Sequence, residues 1–358
     1  MKELYFIGTI KPLYIDKMLE AKKRVDNLVK PIGSLGKLED MSIRLAGITG
    51  TLHNCVDKRA IVIMCSDNGV CEEGVASAPQ IVTATQTINF LKGVTGVGVL
   101  SRHNSCDLKV VDIGIKEDIT HRSLINCKIR KGTSNIAKGE AMTREEAVKA
   151  IKIGFDLVCK LKEEGYELIG TGEMGIGNTT SSSAVLMSLT GCSIDKAVGR
   201  GAGLTDQGME RKLQVIKQVL EVNKPNAEDP IEILHKVGGF DIAGLVGVYL
   251  GAASCRLPVV IDGFISAIAA LLAYRIEPLS KEFMFPSHIS LEKGYNLIME
   301  QLGLEPILDL GMRLGEGSGC PIAFNVIEAA TRVMNEMATF EEGNVDLENY
   351  KGLWENKS

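Results

Sequence analysis

Short apolar runs that break at glycine or a polar turn recur along the chain. Residues 60–65 run into Ser-Asp-Asn-Gly, 109–113 into Gly, 166–169 into Gly-Thr-Gly, and 257–261 into Asp-Gly. Near-continuous apolarity, rather than alternation, is what a strand covered on both faces requires, so these runs predict buried parallel strands that end in loops. Between them, residues 143–164 predict a helix. Thr143 precedes Glu146 by three positions as in a capping box, and Ala147, Ile151, Leu157, Val158 and Leu161 recur at helical spacing. Strand, helix, strand is the repeating unit, which predicts an α/β fold with a mostly parallel sheet.

The two ends read differently. Residues 15–29, 38–52, 290–302 and the stretch after Cys320 are amphipathic and charged, with weaker strand signals. The expectation is a small helical domain built from both termini, residues 1–55 and 290–358, against a large sheet domain at 56–289. Beyond Phe340 the chain turns acidic and polar, as expected of a solvated tail or an arm over a neighbouring subunit.

Two apolar stretches, 237–255 and 257–274, approach the length of a membrane span. Asp241 and Asp262 lie inside them, and an aspartate at mid-bilayer is costly, so both predict buried α/β core. The 358 residues carry a net charge of −5, which offers no general attraction to nucleic acid or anionic membrane. Nine cysteines without a C-x-x-C pair suggest neither a disulfide framework nor a zinc site, and fit a reducing cytoplasm. The N-terminus lacks the apolar core and cleavage site of a secretory signal.

In open parallel sheets ligands bind beyond the carboxyl ends of the strands, which directs attention to the loops. One of them spells two phosphate patterns at once. Gly170, Gly172 and Gly175 make G-x-G-x-x-G, while Gly172 to Thr179 make a P-loop spacing with Asn178 where the lysine belongs. Without that lysine an ATPase is disfavoured. A dinucleotide site is the runner-up: an NAD-dependent oxidoreductase with Asp195, about 20 residues past Gly175, as the ribose acid. The third reading is a backbone nest for one small dianion such as a phosphate monoester, with tight packing of loop on sheet as the structural alternative.

Other loops add candidate chemistry. A second glycine cluster contains Gly201 and is followed by Lys212, which could supply the charge missing at Asn178. A third, 309–320, sets Glu316 between two glycines beside Met312 and Leu314, open to a ligand and in surroundings that raise a carboxyl pKa. A fourth loop, 66–83, offers Ala78-Pro79, with Gln86 close behind. His288 reads as a packed histidine, and no site calls for a metal or any other cofactor.

Together these loops resemble the nicotinate-nucleotide:dimethylbenzimidazole phosphoribosyltransferase family, which activates the lower-ligand base of cobalamin. The resemblance runs through Lys30-Pro-Ile-Gly-Ser-Leu-Gly-Lys-Leu-Glu39, Asp67-Asn-Gly-Val70, Gly172-Glu-Met-Gly-Ile-Gly-Asn-Thr-Thr180, Gly238-Gly-Phe-Asp-Ile-Ala-Gly244, Val260-Ile-Asp-Gly-Phe264 and Leu314-Gly-Glu-Gly-Ser-Gly319. It implies a Rossmann-like sheet domain with a small helical domain from both termini, a homodimer, and transfer of ribose 5-phosphate from nicotinate mononucleotide to a benzimidazole-type base. By the same resemblance Glu316 is the general base, and Glu173 a second carboxylate near the ribose. Gly175, Gly177, Asn178, Thr179, Gly201, Lys212 and Ser290 surround the phosphate and ribose. Ala78, Gln86, Met174 and Leu314 form the base slot. Ala78 stands where relatives often have serine, which removes a possible hydrogen-bond partner from that slot.

Overall fold

The structure, a computed structural model, describes residues 2–201 and 203–345. Its centre is a six-stranded sheet built from β1 (Arg59–Ser66), β2 (Asp107–Gly114), β3 (Ile125–Asn126), β4 (Leu168–Met174), β5 (Val259–Ile261) and β6 (Met284–Pro286). Every pairing is parallel, and the spatial order is β3-β2-β1-β4-β5-β6. That order belongs to Rossmann-like sheets, in which direction of winding reverses beside the first strand. The four strands read from the sequence are all present. β3, of two residues, is too short to leave a signal, and β6, Met-Phe-Pro, lacks the β-branched run into Asp-Gly that marked the equally short β5.

The helices are α1 (Ile15–Asp26), α2 (Lys37–Thr49), α3 (Val82–Lys92), α4 (Gly96–His103), α5 (Arg144–Glu163), α6 (Asn178–Thr190), α7 (Ile194–Ala197), α8 (Asp206–Asn223), α9 (Pro230–Val237), α10 (Phe240–Ser254), α11 (Phe264–Ile276), α12 (Tyr295–Leu302) and α13 (Cys320–Glu336). Successive residues of β4 show that both sheet faces are covered, because neighbouring positions on a strand point to opposite sides. A Cβ on Gly170 would meet Cys320 and Phe324 of α13. The hydroxyl of the next residue, Thr171, bonds Tyr249 of α10 at 2.9 Å and Ser266 of α11 at 3.0 Å. The apolar stretches that raised a membrane reading are α10 and α11, buried against the sheet, and no described helix is long and apolar enough to cross a membrane.

The capping box at Thr143 and Glu146 starts α5 as expected, with the Thr143 hydroxyl accepting from the Glu146 amide and the Glu146 carboxylate from the Thr143 amide. The terminal segments meet. α1, α2 and α13 share a second apolar cluster of Ala21, Val25, Ala46 and Met334, and Leu28 bridges Thr339. Lys30 and Glu39, both buried, form an ion pair at 2.7 Å. α12 packs on α11 of the sheet layer. Residues 341–345 turn back on Thr339 and Phe340, and the rest of the acidic tail lies outside the described residues.

Candidate active site

β1 and β4 are neighbours, and the chain leaves them toward opposite sides of the sheet, so a crevice opens beyond Ser66 and Met174. The crevice is a cleft of about 370 Å³, within the range of small-molecule sites.

The segment that follows α12 folds over it. Gly315, Glu316 and Gly317 have φ of 78°, 63° and 87°. Glutamate in the left-handed region costs free energy, and such strain persists only where the surroundings over-determine it. Asp262, at the end of β5, supplies that constraint: its two oxygens accept from the backbone amides of Gly317 at 3.0 Å and Gly319 at 2.7 Å. The Glu316 amide points at Glu173 Oε1, 3.4 Å away.

So held, the Glu316 side chain enters the cleft. Its Oε1 accepts from Gln86 Nε2 at 2.7 Å, and its Oε2 is buried with no partner. Burial pushes its pKa above the ordinary carboxyl value, the Gln86 hydrogen bond opposes this, and the charge of Asp262 adds to it. The sequence reading of Glu316 as a carboxyl in pKa-raising surroundings holds, with burial and then the Asp262 charge as the causes rather than Leu314, which is itself 56% exposed.

The opposite wall is the start of α6. Gly177 caps that helix at φ 94°, a conformation only glycine adopts freely. The Asn178 amide then reaches two acids: its Nδ2 donates to Asp241 Oδ2 at 2.9 Å and, through its other hydrogen, to Glu173 Oε2. Burial, then the nearby Asp241 charge, lifts Glu173 to about 8, and burial lifts Asp241 to about 6. Thr179 accepts a hydrogen bond at 3.0 Å from Lys212, which is fully buried and also donates to Gly199 O. Burial lowers Lys212 to about 8.

The cleft gathers Ala78, Gln86, Glu173, Met174, Gly175, Asn178, Thr179, Gly201, Ser290, Leu314 and Glu316 from the sequence-predicted set. Gly177 lines a smaller adjoining pocket, and Lys212 stands behind Thr179 rather than in the wall. His288 is buried, as read from the sequence, and also borders the cleft. Asp241, Asp262 and Arg313 were missed as site residues. The two aspartates could have been found from their position alone, since an acid inside an apolar run that is not a membrane span must be held by something. Among the described residues no cluster of acids, cysteines and histidines could hold a metal ion.

The two phosphate patterns dissolve on the same geometry. β4 continues to Met174, and its pairing with β1 runs from Arg59↔Leu168 to Cys65↔Met174, so Gly170 and Gly172 are strand residues and not loop residues. A Cβ on Gly172 would lie 2.6 Å from the Glu316 carbonyl, so that glycine admits the Glu316 loop. Gly175 is closed in by Ser66 O and Asn68 at 2.4 and 2.7 Å. Asp195 lies exposed in the short α7, not at the end of a second strand. The NAD-dependent oxidoreductase alternative therefore fails, because a dinucleotide fingerprint needs its glycines past the strand and its acid on the next one.

Comparison with known proteins agrees. Residues 10–345 match the sequence profile of a family described as phosphoribosyltransferase. A nicotinate-nucleotide–dimethylbenzimidazole phosphoribosyltransferase of Clostridium perfringens is 58% identical over 331 residues, 92% of each chain. The Ruminiclostridium cellulolyticum protein of that name is 57% identical over 347 residues, 97% of this chain and 98% of its own. The crystal structure of CobT from Thermus thermophilus superposes with a TM-score of 0.88 at 36% identity, over 92% of this chain and 99% of that one. This chain belongs to the phosphoribosyltransferase family that these proteins represent.

Proposed function

We propose that this enzyme moves ribose 5-phosphate from nicotinate mononucleotide to 5,6-dimethylbenzimidazole or a related lower-ligand base, giving α-ribazole 5′-phosphate and nicotinate. The observation that carries the mechanism is Glu316 Oε2, buried, unpartnered and facing the cleft, while Oε1 is tied to Gln86.

One ring nitrogen of the incoming base attacks the anomeric carbon with its lone pair. The bond to nicotinate breaks, and its electrons return to the pyridinium nitrogen, which leaves uncharged and needs no acid. The second ring nitrogen carries the proton that must go, and Glu316 Oε2 accepts it. Ala78, Gln86, Met174 and Leu314 flank that end of the cleft, and the apolar faces of Met174 and Leu314 suit a flat aromatic ring.

At the other end the phosphate rests against the start of α6, Gly201 and Ser290, with Lys212 acting through Thr179. A phosphate that stays on the ribose throughout has no leaving group to stabilise, so a buried cation one hydroxyl away suffices. Glu173 borders the ribose between the two ends. Family likeness also supports a cytoplasmic homodimer and a division into domains near residues 55 and 290.

Nicotinate release should require both nicotinate mononucleotide and an acceptor base. Glu316→Gln should lower kcat by about 10² to 10⁴, the usual worth of general-base help, with the fold intact. Near-normal turnover of that variant would overturn the assignment of the base. A monomer mass by light scattering would overturn the dimer.

A further inference from the structure

On the face of the sheet away from α13, α5 and α10 approach closely enough for backbone contact. A Cβ on Gly154 would lie 1.9 Å from the Gly244 carbonyl, one on Gly247 would lie 1.9 Å from the Ile151 carbonyl, and one on Gly251 would lie 2.9 Å from the Phe155 carbonyl. These three glycine contacts fix the two helices in one register, since neither helix can slide without driving backbone into backbone. At the end of that seam stand Cys159 of α5 and Cys255, the residue that caps α10, with their sulfurs 2.8 Å apart. Both thiols are free and only half-buried, so a small reagent can reach them. Neither belongs to the cleft.

We propose that Cys159 and Cys255 are a redox-modification site, a thiol pair that a low-molecular-weight disulfide converts to an intramolecular disulfide joining α5 to α10. The helix register holds the sulfurs inside non-bonded contact distance before any reaction, so the cross-link forms with little backbone movement. Cys255 attacks first. Its thiol is held below its usual range chiefly by the hydrogen bond with Cys159, and Lys162 acts in the same direction. Its thiolate displaces one thiol from the reagent and forms a mixed disulfide. Cys159 then gives up its proton and attacks the Cys255 sulfur, releasing the second thiol. Two protein thiols are oxidised and one reagent disulfide is reduced to two thiols, which balances atoms and electrons. The cysteines lie 96 positions apart, so the bond closes a long loop of the unfolded chain and stabilises the fold.

The test treats the folded full chain with hydroxyethyl disulfide, alkylates the remaining thiols, and maps peptides without reduction. A single peptide pair should appear that spans Cys159 and Cys255, lighter by two hydrogens than the reduced peptides, together with a rise of a few degrees in Tm that dithiothreitol reverses. Cys159→Ser should stop at the mixed disulfide on Cys255, Cys255→Ser should abolish the cross-link, and both should leave nicotinate release unchanged. The exposed Cys55 supplies an internal control for simple accessibility. Full alkylation of Cys159 and Cys255 while Cys55 is modified, or a mixed disulfide on Cys255 that persists in the parent chain, would overturn the proposal.

Discussion

Asn178 Nδ2 lies 2.9 Å from Asp241 Oδ2, and its second hydrogen goes to Glu173. This contact explains why a loop with P-loop spacing lacks the P-loop lysine. A lysine at this position would be drawn into a buried ion pair with two carboxylates instead of reaching a phosphate. The neutral amide has one hydrogen for each acid and no charge to bury. The cation we propose for the phosphate is on another element, Lys212 of α8, which stands behind the Thr179 hydroxyl.

The acid pair predicts an unusual dependence of stability on pH. Glu173 is raised from 4.5 to about 8 and Asp241 from 3.8 to about 6, so the folded chain holds protons that the unfolded chain releases. Their contribution is fully present below about pH 4 and is lost as pH rises through 6 and then 8. Glu173→Gln cannot ionise and should flatten the upper part of the slope. Between pH 6 and 9 its Tm should fall less than that of the parent, by a difference of the order of a few kcal/mol in stability. Parallel Tm curves for the two proteins across that window would show that Glu173 titrates normally.

Gly172→Ala tests the contact that admits the Glu316 loop. The added carbon would lie 2.6 Å from the Glu316 carbonyl and 3.0 Å from Gly317 Cα, both backbone atoms that cannot rotate away. Displacing the Glu316 loop by a fraction of an ångström or more should lower kcat by about 10²-fold. KM for nicotinate mononucleotide should change little, because the phosphate end is built on α6. Unaltered kcat in a variant with native circular dichroism would mean that the loop is not seated on β4.

Lys212 is neutral above about pH 8 in the free enzyme, because burial disfavours its charged form. In the proposed role, its attraction for the substrate dianion is therefore present below pH 8 and lost above it. KM for nicotinate mononucleotide should rise between pH 7 and 9. Lys212→Met, close in length and already suited to a buried site, should fold, should raise KM by about tenfold or more at pH 7 for loss of one charge-assisted contact, and should remove the upward limb. A KM profile identical in the two proteins would exclude Lys212 from phosphate binding.

Asn89 is a positioning residue that the sequence did not single out. Its Nδ2 donates to Gln86 Oε1 at 3.2 Å, which orients the Gln86 amide so that Nε2 faces Glu316. Asn89→Ala frees Gln86 to turn its carbonyl toward Glu316 and should lower kcat by about tenfold. Because the Gln86 hydrogen bond holds the Glu316 pKa down, the acidic limb of the kcat profile should also move to higher pH. A purely structural role would leave that limb where it is.

How much was legible beforehand differs from residue to residue. The strands at 60–65, 109–113 and 257–261, the helix capped at Thr143, and the glutamate between Gly315 and Gly317 could be read from the chain, because apolar runs, caps and glycine pairs act on their immediate neighbours. The family likeness then placed Gln86, Met174, Leu314 and Ser290 around one cleft, and the structure does bring them together. The glycines of β4 misled. Gly170 and Gly172 look like a loop locally, and only α13 and the Glu316 loop packed against them show why a strand gives up its side chains there.

What the sequence determined by itself was the class of fold, the elements that carry loops, and the identity of the carboxylates available for chemistry. Tertiary structure decided which carboxylate is free to act. Asp262 is spent on Gly317 and Gly319, Glu173 on Asn178 and the Glu316 amide, and Asp241 on Asn178 through Oδ2, its bare Oδ1 lying outside the cleft lining, while Glu316 keeps a bare oxygen in the cleft wall. Local sequence sets an acid's intrinsic chemistry, but its reactivity depends on partners that come from strands and loops far apart in the chain, and those meet only when the sheet is assembled.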